Sequence, residues 1–221
     1  CGTNMTDIKI SNRSAILRLL HEAGAMSRKQ IAARLKLTPA TITVIINELM
    51  NESILVEGNS VPNAGAVGRR EVMVEISREK YVALGLALSQ GLVKFTVVNL
   101  HGEIIHEETC KLPEILTPEY FAETIGRQIQ LKIASYGYSE NFIIGIGITV
   151  CGVVDFANGI ILDSDGIWEE KNVPIVKMFR KQFSFPVIAA NNVRSYANAY
   201  AFLQHDSQLQ NMLFIRNEAP M

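Results

Sequence analysis

The stretch Ser27-Arg-Lys-Gln-Ile-Ala-Ala-Arg-Leu-Lys-Leu-Thr-Pro-Ala-Thr-Ile-Thr-Val-Ile-Ile-Asn-Glu-Leu-Met50 reads as two short helices joined by a tight turn. Ser27 is a good N-cap, and Ile31, Ala32 and Leu35 recur behind it at helical spacing. Lys36-Leu37 supplies the turn. Thr38 can cap a second helix, with Pro39 at its first position, where a missing N–H is harmless. Along that helix Ile42, Ile46 and Leu49 point one way with Ile45 flanking them, and Thr41, Thr43, Val44 and Asn47 point the other. A short amphipathic helix stiffened by a partner is the commonest protein device for entering the DNA major groove. Hydroxyls and amides can hydrogen-bond base edges there, and a valine can meet a thymine methyl.

The flanks extend the pattern. A helix over Asn12–Ala23 carries Ile16, Leu17, Leu19 and Leu20 and completes a three-helix core. Ser53–Glu57 and Val72–Ile76 read as strands, separated by a Gly/Pro/Asn stretch that ends in Gly68-Arg69-Arg70. Helices followed by a β-ribbon with a basic tip make a winged helix-turn-helix, its wing lying along phosphates or in a minor groove. The expected DNA contacts are Thr38, Pro39, Ala40, Thr41, Thr43, Val44 and Asn47 in the groove and Arg69 and Arg70 on the wing. Arg28, Lys29 and Arg34 are expected on phosphates. A two-fold pair of such heads would read a pseudo-palindromic operator, so a homodimer is expected. Two rival readings stay open: a small helical bundle without nucleic acid, against which the strands argue, and a winged helix that docks on another protein.

Charge and composition narrow the class. The formal net charge of −1 hides an asymmetry: residues 1–80 hold eleven Lys/Arg against eight Asp/Glu, and residues 81–221 hold ten against fourteen. A basic head on an acidic body suits a protein that presents one end to DNA, although the excess is small. At 221 residues and 48% hydrophobic, the chain can bury a real core in two domains. It has no apolar run of membrane-span length and no signal-peptide pattern. Cys1, Cys110 and Cys151 are odd in number and far apart, which argues against a disulfide framework or a closed zinc site and for a reducing cytoplasm. The four histidines (His21, His101, His106, His205) show no ligand spacing.

After Ser77 the pattern changes. Strands are expected over Tyr81–Leu88, Leu92–Leu100 and Glu103–Lys111, then a helix over Pro118–Tyr136 with Phe121, Ile125, Ile129 and Ile133 on one face. Phe142–Val150 is a continuous apolar strand of the kind buried in a sheet's centre. A Gly-rich loop at Cys151-Gly152, a short strand near 160–162, a helix over Pro174–Phe183, a strand over Pro186–Ala190 and a helix over Asn192–Leu203 follow. Met212–Arg216 begins a last strand. The expected fold is a winged helix-turn-helix head, 1–76, of helices and a β-wing, then an α/β actin-like (ribonuclease-H-like) lobe, 77–221.

Ordered motifs make the reading specific. They are the Gly68-Arg69-Arg70 link, Gly145-Ile146-Gly147-Ile148, Gly152-Val153-Val154-Asp155 and Gly159-Ile160-Ile161. Trp168 ahead of Val173-Pro174-Ile175 follows, and then Phe185-Pro186-Val187 leading to Asn191-Asn192-Val193-Arg194. In this order they resemble the ROK family of repressors and sugar kinases. The resemblance implies a DNA-binding transcriptional repressor whose second domain takes a sugar or sugar derivative. Kinases of the family carry Asp-x-Gly-x-Thr/Ser after the first strand, where this chain has Ala87 for the Asp and Ser89 for the Gly. A methyl cannot help to place a metal, and losing the Gly obstructs close approach to phosphate. Their catalytic Asn-Asp is Asn191-Asn192 here, and an amide has no useful basicity at neutral pH. The resemblance therefore implies no phosphoryl transfer, with a sugar kinase carrying an added head as the rival.

The same resemblance places Asn191, Asn192 and Gly152 on the sugar, with Ser164 or Asp165 lining the cleft. Asn is also among the best helix caps, so the pair can cap, bind or divide the tasks. Trp168 can stack on a sugar or pack in a core, with packing the more frequent role of a lone Trp; Asp155 serves a turn or a site, a turn being the commoner use. The family's zinc site lies in a later segment, so no cofactor is expected here. The chain stops just inside what would be the first strand of a second lobe. It reads as a fragment, a natural truncation, or a repressor that needs no lobe closure.

Overall fold

The computed structural model describes residues 4–58, 71–113, 116–203 and 212–215. The chain forms two units, 1–81 and 82–221. In the first, helix α1 (Met5–Ala23) is followed by a two-residue strand β1 (Met26–Ser27), α2 (Arg28–Leu35), α3 (Pro39–Asn51), and strands β2 (Leu55–Glu57) and β3 (Met73–Ile76). Local chemistry sets these boundaries. Ser27 accepts from the Gln30 N–H and donates its own N–H to the Gln30 side chain, a complete capping box. Lys36 turns the chain with a left-handed φ of 55°, and Thr38 Oγ1 accepts from the Thr41 N–H at 3.2 Å with Pro39 at the first position of α3.

Ile16, Leu20, Ile31, Ile42, Ile45, Ile46 and Leu49 interlock as the core of the head, each nearly inaccessible. The sheet order is β1-β3-β2, all antiparallel. Three expectations change here. The first helix begins at Met5 rather than Asn12, because Asn4 starts it and its first turns stay on the surface. β1 was not expected; two residues carry no periodicity, and the strand exists only because β3 pairs with it. The head also extends past 76. Ser77 N donates to Ile54 O at 2.8 Å, Lys80 Nζ to Ser53 Oγ at 2.8 Å and Tyr81 Oη to Glu52 O at 3.0 Å. These bonds bind residues 77–81 to the head.

The second unit is built on a five-stranded mixed sheet. Strands β4 (Val82–Ser89), β5 (Leu92–Asn99) and β6 (Ile104–Lys111) form an antiparallel meander; β7 (Ile143–Val150) and β10 (Val187–Asn191) add in parallel, giving the order β10-β7-β4-β5-β6. Helix α4 (Pro118–Ser135) and the short α5 (Ile175–Phe179) bury Phe121, Ile125, Ile129, Ile133, Val176 and Phe179 with Leu84, Leu86, Ile146 and Ile148. Between β7 and α5 lies a hairpin of β8 (Val153–Asp155) and β9 (Ile160–Asp163), and α6 (Asn192–Leu203) follows β10 directly.

The expected elements of the lobe appear, with shifts. The helix expected over 174–183 is regular only over Ile175–Phe179, after which Phe183 and Phe185 continue an aromatic stack from Phe179. Residues 153–155, expected as part of a loop, pair with β9. Residues 212–215 have no regular structure, so the strand expected over 212–216 is not formed across them; Arg216 lies outside the described residues. Among the described residues no helix is long and apolar enough to cross a membrane.

Candidate functional site

On α3, Ala40, Thr43, Val44 and Asn47 recur at i, i+3, i+4 and i+7 and are all exposed, opposite the buried Ile42, Ile45, Ile46 and Leu49. Val44 is 57% exposed, an apolar side chain that the head leaves in water. Thr43 Oγ1 donates to Pro39 O at 2.8 Å, which leaves its methyl and oxygen lone pair outward. Thr38 and Pro39 are exposed at the start of the helix. Thr41 departs from expectation: it is half-buried, and its hydroxyl shares a 2.9 Å hydrogen bond with Thr38 Oγ1, so it completes the cap instead of facing outward.

The basic residues divide in the same way. Lys29 and Arg34 are exposed on α2, and Lys29 rims an open groove between α2 and the start of α3, floored by Ala32 and Leu37. Arg28 is not free as a phosphate contact would be. Its Nη2 donates to Asn47 Oδ1 at 3.3 Å and lies 3.5 Å from Met50 Sδ, and Nη1 sits 3.8 Å from Glu57 of β2. Arg69 and Arg70 lie outside the described residues. Along the flank of α3, Lys9 and Arg13 of α1 hold Glu48 and Glu52. The hydrogen bond from Arg13 keeps the Glu52 carboxyl below its ordinary range.

In the lobe, β4, β7 and β10 are parallel neighbours, so their carboxyl ends converge, the usual place for a ligand on such a sheet. The converging segments are Ser89-Gln90, Cys151-Gly152 and Asn191-Asn192. Asn191 Nδ2 donates to Gly152 O at 2.7 Å, and its Oδ1 accepts from the Arg194 N–H at 3.1 Å, capping α6. Asn192 Nδ2 donates to Cys151 Sγ at 2.9 Å, and its Oδ1 accepts from the Val193 N–H at 2.8 Å. Gly152 has a φ of 108°, and a Cβ on it would stand 2.2 Å from Asp163 O and 3.1 Å from Asp165 N, so only glycine fits.

These contacts bring Gly152, Asp165, Asn191 and Asn192 together. Asp165 is exposed, its N–H donating to Asp163 Oδ1 at 3.1 Å, and Lys171 at 3.0 Å holds the Asp163 carboxyl below its ordinary range. Ser164 does not join them. It is 1% exposed, and its hydroxyl donates to Trp168 O and accepts from the Trp168 N–H, closing the 164–168 loop from within. Trp168 packs on Phe121 with ring centroids 5.8 Å apart, a core role. Asp155 accepts from the side chain and N–H of Asn158, which lower its pKa, and so closes a turn. Ala87 sits half-buried on β4 between Lys94 of β5 and Thr149 of β7. The sequence reading gave no role to Cys151 or Gln90. Gln90 follows Ser89 directly, and its side chain approaches the position that a Cβ on Gly166 would take, within 2.7 Å. Among the described residues no three His, Cys, Asp or Glu side chains gather as a metal cage requires.

The sequence profile of the ROK family matches residues 84–217, and that of winged helix-turn-helix DNA-binding domains matches residues 11–56. The chain belongs to the ROK family. The DNA-binding transcriptional dual regulator NagC of Escherichia coli strain K12 is 26% identical over 213 residues, 96% of this chain and 52% of that one. A xylose repressor of Caldicellulosiruptor bescii is 25% identical over 195 residues, 88% and 48% respectively. This ROK chain spans about half the length of the curated relatives it matches. A solved structure of a ROK family transcriptional regulator, a homologue of the E. coli Mlc protein, shares its fold with a TM-score of 0.71 at 24% identity, covering 87% of this chain and 48% of that one.

Proposed function

We propose that this chain is a DNA-binding transcriptional regulator, a cytoplasmic repressor of sugar-utilisation genes that acts as a homodimer on operator DNA under the control of a sugar or sugar derivative. One observation carries the reading. The outward stripe Ala40, Thr43, Val44 and Asn47 lies on a capped helix whose opposite stripe, Ile42, Ile45, Ile46 and Leu49, is buried in the core of the head. Its chemistry is that of base-edge contact, and exposed Lys29 and Arg34 stand nearby for phosphates. A xylose repressor among the relatives supports the sugar-linked repressor part of the reading.

For the lobe, the reading is binding without phosphoryl transfer. Ala87 offers no carboxylate to a metal, and Asn192 no base to a hydroxyl. Asn191 is committed to capping α6, whereas the Asn192 amide donates to a thiol, a weak acceptor that a sugar hydroxyl can replace. Asn192, Asp165 and the Gly152 backbone would then meet the sugar. The sugar acts on DNA affinity only to the extent that it prefers one arrangement of the heads.

The test is a gel shift at stated salt with operator-like duplexes, using Arg69→Ala/Arg70→Ala as the wing control. Wild type is expected to bind with a steep salt dependence and the double variant more weakly on every duplex. Binding to none, or equal binding by the double variant, refutes the head or the wing respectively. ATP turnover with any sugar would overturn the reading of Ala87 and Asn192.

A further inference from the structure

Arg28 is the first residue of α2, yet its guanidinium reaches across to the third turn of α3 and to the wing strand β2. Its Nε is enclosed with no acceptor among the described residues, so what orients the group is its contacts with Asn47, Met50 and Glu57. Asn47 is the last member of the outward stripe and is exposed. An asparagine amide has two faces to offer a base: an oxygen that accepts and an NH₂ that donates. Here Arg28 Nη2 occupies Oδ1 at 3.3 Å, while Asn47 Nδ2 makes no hydrogen bond among the described residues.

We propose that Arg28 is a positioning residue for sequence reading, holding the Asn47 amide with its Nδ2 toward the groove, so that each half-site is read at one step by a donor. The inference rests on the DNA-binding reading above. A donor is met by the acceptors of the major-groove edge, N7 of either purine, O6 of guanine or O4 of thymine. Cytosine presents only its N4 donor there. The Asn47 position therefore accepts adenine, guanine or thymine at that edge and discriminates against cytosine, by roughly ten-fold for a single well-placed polar contact. Without Arg28 the amide can turn over and accept from cytosine N4, and the discrimination fades.

The experiment uses the 221-residue chain as it stands, with selection from a randomised duplex pool followed by gel shifts at several salt concentrations. Arg28→Ala is expected to lose the bias against cytosine at one position per half-site, with the salt slope unchanged. In an Asn47→Ala background, which loses the same bias, Arg28→Ala is expected to change that preference no further. Because Arg28 also touches Met50 and Glu57, a second variant guards against a head that fails to fold. Asn47→Asp keeps an oxygen for Arg28 Nη2, presents acceptors alone, and is expected to invert the preference toward cytosine. If Arg28→Ala instead weakens all sequences equally and lowers the salt slope by about one, Arg28 is a phosphate contact and the proposal falls while the DNA reading stands. If Asn47→Asp leaves the preference unmoved, the proposal also falls. If wild type selects no sequence and binds no duplex, the reading beneath it falls too.

Discussion

In the head, Ala40, Thr43, Val44 and Asn47 stand on the side of α3 that the core does not use; their side chains take part in only two hydrogen bonds among the described residues, from Thr43 to Pro39 O and from Arg28 to Asn47 Oδ1. In the lobe, Gly152, Asn191 and Asn192 are themselves fold-making groups: a glycine that no other residue can replace, a helix cap, and a tie from α6 to the loop after β7. On the function proposed above, the head therefore separates binding from stability, and the lobe fuses them. Such a difference suits a regulator. The reading surface can diverge without unfolding, whereas a ligand that displaces an internal hydrogen bond in the lobe necessarily perturbs the geometry where three strands end.

The largest expected effect is in the lobe. Gly152→Ala would place a methyl 2.2 Å from Asp163 O at a left-handed φ of 108°. The variant is expected to lose about 3 kcal/mol of lobe stability, seen by chemical denaturation, with the transition of the head unmoved. A Gly152→Ala protein as stable as wild type would break the comparison at its firmest point. Next is Val44→Ala/Asn47→Ala. Operator affinity is expected to fall by about 2 kcal/mol in gel shifts, while the head melts within about 0.5 kcal/mol of wild type. A clear loss of stability would show that this stripe also serves the fold. Smaller again is Asn191→Ala, which removes the cap on α6. About 1 kcal/mol of lobe stability should go, and thermal shifts by a stabilising sugar should shrink with it.

The head was readable from sequence because its determinants are local. Ser27 with Gln30, Thr38 with Pro39, and the interleaved stripes of α3 lie within a few residues of one another, and each acts through the backbone beside it. The orientation of Arg28 was not readable, since Asn47, Met50 and Glu57 meet it only once three elements have packed. The same holds for the lobe. Apolar runs announced β4, β5 and β7, but β8 becomes a strand only by pairing with β9, and Ser164 turns inward because the backbone of Trp168 satisfies its hydroxyl. Family motifs pointed to Gly152, Asn191 and Asn192 as candidates. They could not say that Asn191 would be taken by the cap and Asn192 left to a thiol.

The smallest effect tests the flank of α3. Arg13 Nη1 donates to Glu52 Oε1 at 2.9 Å and Lys9 Nζ to Glu48 Oε1 at 2.7 Å, so α1 clamps α3 along the flank where Glu48 lies one turn beyond Val44. The Glu52 carboxyl is held below its ordinary range, chiefly by the Arg13 hydrogen bond. A carboxyl lowered in the folded state contributes stability that is fully present above its unfolded pKa and is lost as pH falls through the folded value. The clamp should therefore act at neutral pH and fade in acid. These side chains are partly exposed, so Arg13→Ala is expected to cost only about 0.5 kcal/mol at pH 7 and nothing measurable once the carboxyls are protonated. Melting wild type and variant across that range reads the difference directly. A penalty that persists unchanged in acid would mean that Arg13 acts through its aliphatic stem on α3 rather than through charge, and this flank of α3 would then be supported as its core side is, by packing alone.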